Sequence, residues 1–455
     1  MNDFADYFEF EMGKVHLSHF YLYFIFAAAT ALYLIRKSKS KYKWELFFIC
    51  FYLLTGNINQ LLTIKIPGIS FFEIQPERFI FLLLSFFILR KSFFKKNRPT
   101  DFSNGRVPWF QVMLFAYIFL LIVSIGMNIS ELDVPDALKT ILESFAFLVI
   151  IIAFRLMADV PSYKVIGKSM IIGAIVSSTV SLIQLGVNSY FLRIGDFRPA
   201  FGDAVRSNGI FNTEYYNAYY LIIAISWALV SIKNKVLRIS LVSLFSLGVL
   251  SSFQRMSWII LALVLFIYVV YINKIAIQKL ALAGLFFLAI LLSTSIFYYQ
   301  DIMNSAVVKE RLADSPGGRQ GYYTMVIENI GKKPLFGYGG LTNEVYYTNL
   351  LRITRDRDRA TATTGSIHSG YFSVLFEYGI PALACFSLFV ILSVVYYSTR
   401  LKDNIYFVVP FLVGIIFMIG NLTNTFLFLS YISLLYAIHI GMGMGINHTS
   451  KKIIS

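Results

Sequence analysis

Cysteine is almost missing from this chain: Cys50 and Cys385 are the two in 455 residues, and each lies inside an apolar run. A disulfide would require them to meet in the fold, so neither redox chemistry nor a thiolate metal site finds support. Charge is scarce as well. Asp, Glu, Lys and Arg make up 14% of the residues, against about 25% in soluble domains. No polar block is long enough to form a soluble domain, and no internal repeat is evident. There is no HExxH, no GxSxG with a plausible His and Asp, and no Cys/His metal set. "GYGG" (337–340) and "GGR" (317–319) are glycine-bearing loop pieces without a phosphate-loop fingerprint. A cleavable signal peptide is not expected, because the first apolar run follows the acidic stretch "DFADYFEFEMGK".

What is present is hydrophobic: 57% of residues, with aromatics alone 17% of the chain and mean hydropathy +0.67. Apolar runs of about 20 residues, long enough to cross a bilayer's hydrocarbon core, recur from end to end. They predict spans near 15–35, 44–64, 70–89, 109–129, 137–158, 165–187, 213–232, 239–253, 256–273, 280–300, 368–397, 405–422 and 425–444. The stretches 70–89 and 239–253 are the weakest. The expected fold is an all-α polytopic membrane protein, one transmembrane helical domain over 1–455.

The net charge of +15 raises nucleic acid as a partner, but its placement argues against one. Alternate connections are basic: "RKSKSKYK" (36–43), "RKSFFKKNRP" (90–99), "KNKVLR" (233–238), "NKIAIQK" (273–279) and "TRLKD" (399–403). The positive-inside rule makes these cytoplasmic, which gives about 13 spans (12 to 14), with the N-terminus outside and the C-terminus inside.

That rule leaves the outside basic residues unexplained, and they cluster. Residues 188–212 contribute Arg193, Arg198 and Arg206. The turn "SSFQRMSW" contributes Arg255. The large external loop, 301–367, contributes Lys309, Arg311, Arg319, Lys332, Lys333, Arg352, Arg355, Arg357 and Arg359. Arginine is a planar, permanently charged donor suited to phosphate and carboxylate. For Lys332, Lys333 and "RDRDR" (355–359) a solvated or lipid-facing role is the plainer reading. Arg255 stands between two apolar spans with no acidic neighbour in sequence, where Glu214 or Glu377 would serve as a structural partner.

"GSIHSGYFSVLFEYGIP" (365–381) adds a histidine at the mouth of a span and a buried acid. His368 is either a proton-transfer group or an interfacial hydrogen-bonding residue. Glu377 lies nine residues on, half a turn out of phase and about 13 Å deeper, so the two cannot form a dyad on one helix face. Glu377 is expected to face the bundle interior and pair with an arginine or polar backbone. Gly379 and Pro381 predict a kink or break, which membranes tolerate where it is covered by protein or lines a cavity. His16, His19 and His439 are expected to be interfacial or packed.

Four stretches together resemble the O-antigen polymerase and O-antigen ligase group of integral membrane glycosyltransferases. "RSNGIFNTEYYNAYYLI" (206–222) has Arg206, Gly209 and Asn212 in register with that group. "LSSFQRMSWIILALVLF" (250–266) supplies Arg255. "GGRQGYYTMVIENIGKKPLFGYGG" (317–340) matches an Arg, an aromatic helix, then Pro-x-x-Gly-x-Gly. "IHSGYFSVLFEYGIPALACF" (367–386) is similar to the His-Asn-x-x-Leu…Glu-x-Gly-x-x-Gly signature, with Ser369, Phe372, Pro381 and Ala382 as departures. The resemblance covers roughly 206–390 and implies a fold like that of the GT-C membrane glycosyltransferases.

It also implies a donor glycan on undecaprenyl diphosphate in the bacterial cytoplasmic (inner) membrane, used at the external face. Arg206 and Arg255, with Arg319, would bind the diphosphate. His368 would be the base for the acceptor hydroxyl, or a further diphosphate donor. Arg311, Arg198, Tyr322, Tyr323 and Glu377 would contact substrate. The loop tyrosines, including Tyr338, Tyr346 and Tyr347, either stack on sugars or anchor the loop at the interface. Neither metal nor cofactor is required. Membrane lipids and a separate chain-length regulator are expected partners. Polymerase is the favoured reading. Ligation to lipid A-core, protein glycosylation, and, in a different class, a lipid-linked oligosaccharide flippase or secondary transporter are the alternatives.

Overall fold

The computed structural model describes residues 17–62, 64–65, 73–74, 79–80, 83–87, 90, 108–195, 197–201, 204–273, 317–341, 367–427 and 430–450. Its principal helices are α1 (Leu17–Lys37), α2 (Lys43–Thr55), α3 (Trp109–Met127), α4 (Val134–Met157), α5 (Val160–Gly186) and α6 (Glu214–Ser231). They continue with α7 (Lys235–Leu250), α8 (Arg255–Ile267), α9 (Gly317–Ile330), α10 (Gly370–Ser398), α11 (Val408–Thr423) and α12 (Tyr431–Ser450). Two short antiparallel ladders lie in connections: β1 (Ile64–Lys65) with β2 (Glu73–Ile74), and β3 (Pro199–Phe201) with β4 (Ala204–Val205).

Most expected spans fall on a helix. The span expected at 44–64 stops at Thr55 and continues as a 3-10 turn, Gly56–Leu62. The span expected at 425–444 begins as helix only at Tyr431. The start of the span expected at 70–89 is corrected, since Glu73 and Ile74 pair in a ladder with Ile64 and Lys65. The Pro67–Gly68 turn signal between these short stretches favours a hairpin over a continuous helix. The expected span at 280–300 lies outside the described residues.

Local signals set the helix ends. Asp159 caps α5, accepting from the Ser162 N–H at 2.6 Å, with Pro161 behind it. Thr213 caps α6, and Asn234 caps α7. Arg36 and Lys37 in the last turn of α1 complement the negative end of its dipole.

Hydrogen bonds between connections sort the helix ends into two layers. In one layer the Tyr42 hydroxyl donates to Leu156 O (3.0 Å), Ser40 meets Ser162 (2.8 Å) and the Tyr163 hydroxyl donates to Tyr406 O (2.7 Å). The basic connections 36–43 and 399–403 belong to that layer. In the other, Asn57 donates to Asn212 (3.1 Å), Ser207 N–H to Ser251 O (3.1 Å) and Gly370 N–H to Asn424 O (3.0 Å). Successive described helices run between the two layers, as multi-pass packing requires.

Among the described residues, seven helical segments are long and apolar enough to cross a membrane, including α1, α3, α4, α5 and α10. Helix α6 is not one of them, although it runs through the centre of the bundle, with Asn217 to Ala228 all buried. A helix enclosed by other helices does not need a lipid-compatible surface, so it can carry Asn217, Tyr219, Tyr220 and Ser226. By contrast, α1 and α3 expose Tyr21, Leu22, Ile25, Phe115 and Phe119, side chains suited to acyl chains. The protein is a multi-pass helical membrane protein.

Helix α10 is broken at Gly379, where φ is 84° and ψ is −179°. Pro381 has no N–H and its ring displaces the carbonyl four residues earlier, that of Glu377. Three backbone groups at the break find partners. Glu377 O accepts from Gly339 N–H (2.6 Å) and the Ser124 hydroxyl (3.0 Å). Phe376 O accepts from Tyr338 N–H (3.0 Å), and Ile380 N–H donates to Pro334 O (2.9 Å). The loop segment 334–339 therefore lies in the gap and supplies the bonds that a continuous helix would have made.

Candidate active site

The "RSNGIFN" stretch is held by buried amides at the end of α5. Gln184 Oε1 accepts from Asn208 N–H (3.0 Å) and Gly209 N–H (2.9 Å), and its Nε2 donates to Gly209 O (3.1 Å) and Phe191 O (3.0 Å). Gly209 has φ +57°, and a Cβ there would lie 2.7 Å from Asn217 Oδ1. Asn217 is already committed, accepting from Ser177 (2.7 Å) and donating to Ser181 (2.8 Å). Glycine is required at this point. Asn212 accepts from Asn57, and Ser207 bonds Ser251 through backbone (3.1 Å) and hydroxyls (2.5 Å). The motif therefore fixes its own loop and joins it to the turn that carries Arg255.

The arginines of this loop separate into two roles. Arg193 is buried, donates to Ser189 O (2.6 Å) and Arg206 O (2.9 Å), and lies 4.9 Å from the Phe197 ring centroid. It is a staple of the loop. Arg198 and Arg206 remain about one-third exposed and converge on a single oxygen, Oε1 of Glu214, at 3.4 and 3.3 Å.

Arg255 is exposed at the first residue of α8, directly after a tight turn in which Phe253 has φ 51°. Positive φ in a bulky residue is a genuine outlier. A cation at a helix N-terminus is also unfavourable by the dipole. Helix stability thus explains neither feature. Among the described residues Arg255 makes no ion pair, which corrects the expectation that Glu214 or Glu377 would neutralise it. Glu214 is engaged by Arg198 and Arg206 instead. Arg255 stands in the outer connection layer, where its charge stays hydrated and needs no buried counter-ion.

Beyond that turn, Gln254 reaches Asn424 (3.5 Å). Asn424 also donates to the Tyr219 hydroxyl (3.0 Å), and its carbonyl accepts from Gly370 N–H (3.0 Å) at the start of α10. His368 is half-buried just before that start. Its neighbour Ile367 accepts from the Thr425 hydroxyl (2.5 Å), and its own carbonyl accepts from the Tyr323 hydroxyl (3.4 Å). One connected set of hydrogen bonds thus joins the segments carrying Arg206, Arg255 and His368 on the same face of the bundle.

Glu377 is buried and faces the interior, as expected, within the field of Tyr117 and Tyr378. Among the described residues its carboxylate makes no ion pair; the side chains of Arg319, Arg311 and Arg352 to Arg359 lie outside the described residues. The break in α10 directs its backbone carbonyl to loop 334–339. Tyr323 stacks on Phe372 (centroids 4.5 Å apart, planes at 20°) and Tyr338 on Phe376 (4.8 Å, 15°). Tyr338 is buried, donates to Asn329 O (3.0 Å), and burial raises its hydroxyl pKa, Glu131 adding to the effect. Tyr338 is thus a docking residue rather than a sugar platform, because its ring is already stacked on α10.

Lys333 also has a defined partner, contrary to a purely solvated reading. Its ammonium lies 2.8 Å from both Glu131 Oε2 and Asn128 Oδ1. Arg319 and Tyr322 belong to α9, but their side chains lie outside the described residues, as do Arg311, Tyr346, Tyr347 and Arg352 to Arg359. His16 is likewise outside. His439 is packed, accepting from Trp227 Nε1 at 2.8 Å. Cys50 and Cys385 are free thiols. Among the described residues no group of three or more His, Cys, Asp or Glu is placed to hold a metal.

Sequence reading missed Gln184, Glu214 and Asn424 as organising residues. The available signal was polarity at the ends of apolar spans, where an amide or carboxylate needs a partner.

The fold and this outer rim define a class: a multi-pass helical membrane protein with arginines and a histidine gathered on the segments of one face. Residues 239–387 match the family described as O-antigen ligase. The matched stretch includes Arg255, Arg319, His368 and Glu377; the Arg206 loop precedes it. No curated protein matches the chain.

Proposed function

We propose that the protein is a polysaccharide polymerase of the O-antigen or capsular type. It transfers a growing glycan from undecaprenyl diphosphate to a carrier-linked repeat unit at the external face of the cytoplasmic membrane. The observation that carries this reading is the bonded rim from Arg206 through Ser207, Ser251, Gln254 and Asn424 to Gly370 and His368. The full bundle has about 13 spans on the positive-inside pattern and a GT-C-like arrangement.

In the reaction, an acceptor hydroxyl oxygen attacks the anomeric carbon from the side opposite the diphosphate. The new carbon–oxygen bond forms as the bond to the phosphate oxygen breaks, inverting the anomeric centre. His368 takes the hydroxyl proton. Undecaprenyl diphosphate leaves with the electron pair, and Arg206 and Arg255, with Arg319, stabilise the charge that develops on it. Preorganised positive charge where a leaving group becomes anionic is commonly the largest catalytic contribution. Arg198, Arg311, Tyr322, Tyr323 and Glu377 line the path of the glycan or support those that do. A chain-length regulator is the proposed protein partner.

Purified protein in proteoliposomes, given carrier-linked repeat units alone, is expected to build a ladder of products. Arg255→Ala and Arg206→Ala are expected to abolish it while expression and insertion stay normal. A ladder of normal length from Arg255→Ala would rule out its role at the diphosphate. Product only after lipid A-core is supplied would make the enzyme a ligase. Movement of the lipid-linked unit without a new glycosidic bond would make it a transporter.

A further inference from the structure

Glu214 is absent from the reaction as written above, yet both Arg198 and Arg206 touch it. Its carboxylate is buried, with the side chain 8% exposed, while the arginine side chains are 35% and 28% exposed. Resting on the polymerase reading, we infer that Glu214 is a positioning residue that holds Arg198 and Arg206 as a two-guanidinium clamp for the diphosphate of the lipid carrier.

Three observations separate this role from an ordinary structural ion pair. The contacts are poor for stability. Charge-assisted bonds from guanidinium to carboxylate run at about 2.7–2.9 Å and are often bidentate, whereas here two Nη1 atoms share one oxygen at 3.4 and 3.3 Å. A fork carries five N–H donors, and the pair with Glu214 uses one nitrogen of Arg206. Arg206 Nε is buried with no hydrogen-bond partner among the described residues.

Next, the two guanidiniums repel each other, so an anion between them is what keeps them together. Arg198, Arg206 and Glu214 sum to one positive charge, which still attracts an anion. Finally, the loop is anchored without this carboxylate. Gln184 and Asn208 hold its backbone, the Arg206 N–H bonds Arg198 O (3.0 Å), and Thr213 rather than Glu214 caps α6. The carboxylate controls where the guanidiniums point more than whether the loop folds.

A clamp set before substrate arrives acts mainly on the transition state, where leaving-group charge is largest. Removing the carboxylate's charge leaves a more positive site that still binds the diphosphate, but with its donors no longer aligned. Glu214→Gln is therefore expected to split the kinetic constants. kcat should fall by roughly tenfold to a hundredfold, the range that small misplacements of reacting or stabilising groups produce, while KM for the carrier-linked unit stays equal or drops. Glu214→Asp retains the charge one methylene further back and should fall between wild type and Glu214→Gln in kcat.

The experiment measures kcat and KM for wild type, Glu214→Gln, Glu214→Asp and Arg255→Ala in proteoliposomes with a defined carrier-linked repeat unit. If Glu214→Gln does not insert, Glu214→Asp is read in its place against the same split. Wild-type constants in the variant, or a raised KM at unchanged kcat, overturn the clamp. The polymerase reading fails separately, if wild type makes no ladder or Arg255→Ala makes a normal one. An active wild type, a dead Arg255→Ala and an unaffected Glu214→Gln would remove the positioning role alone.

Discussion

Replacing Gly379 by alanine tests how the external loop is seated in the broken helix. With φ 84° and ψ −179°, Gly379 occupies a region that is essentially closed to other residues, and forcing a side chain there costs about 1–3 kcal/mol. The new Cβ would also lie 2.5 Å from Leu335 O and 2.8 Å from Pro334 O. Relieving that contact pushes segment 334–339 out of the gap, which puts at risk the bonds from Tyr338 N–H, Gly339 N–H and Ile380 N–H. At about 1 kcal/mol net for each bond, added to that strain, the total reaches roughly 4–6 kcal/mol, concentrated in the outer third of α10.

Because a membrane bundle need not unfold in one step, local opening is the better measure. Trypsin digestion at Lys332 in detergent should speed up markedly in Gly379→Ala, with polymer synthesis falling in parallel. Ser124→Ala, which removes one hydroxyl bonded to Glu377 O and Phe336 O, serves as the mild control and should lose only about 1 kcal/mol. Cleavage of Gly379→Ala at the wild-type rate, together with normal polymer synthesis, would refute the account of the loop as the missing strand of bonds.

Two other perturbations examine the outer rim. Gln184→Leu keeps the approximate size of the side chain but leaves Asn208 N–H, Gly209 N–H and Gly209 O without their partner. At about 1–3 kcal/mol for each buried orphan, it should lower the melting temperature by more than Arg255→Ala does; equal stability would show that the amide is dispensable. A proton acceptor of imidazole type loses rate as acid protonates it, so wild-type turnover should rise with pH through the neutral range. His368→Ala should be nearly inactive and lose that dependence. Full turnover by His368→Ala from pH 6 to 9 would remove the base.

The motif residues were legible as types but not as roles. The "RSNGIFN" and "SSFQR" stretches identify arginines beside apolar spans, yet only the Ser207–Ser251 pairing brings the two segments together. Glu214 and Glu377 are the acids the sequence offers to Arg255, and neither pairs with it. Tyr338 sits in a tyrosine-rich loop that composition would assign to sugars or the interface, and its ring is consumed by Phe376. Lys333 has no acidic neighbour in sequence and finds Glu131 across about 200 residues of chain.

By itself, the sequence determined that this is a helical membrane protein, which ends of its helices share a side, and that α10 breaks near Gly379 and Pro381. These follow from local causes: apolar length, the placement of lysine and arginine, and the missing N–H of proline. The tertiary structure alone decided which polar groups meet. Hydrogen bonds in the outer layer join residues far apart in the chain, and their partners depend on which helices pack side by side, a relation that no local pattern encodes.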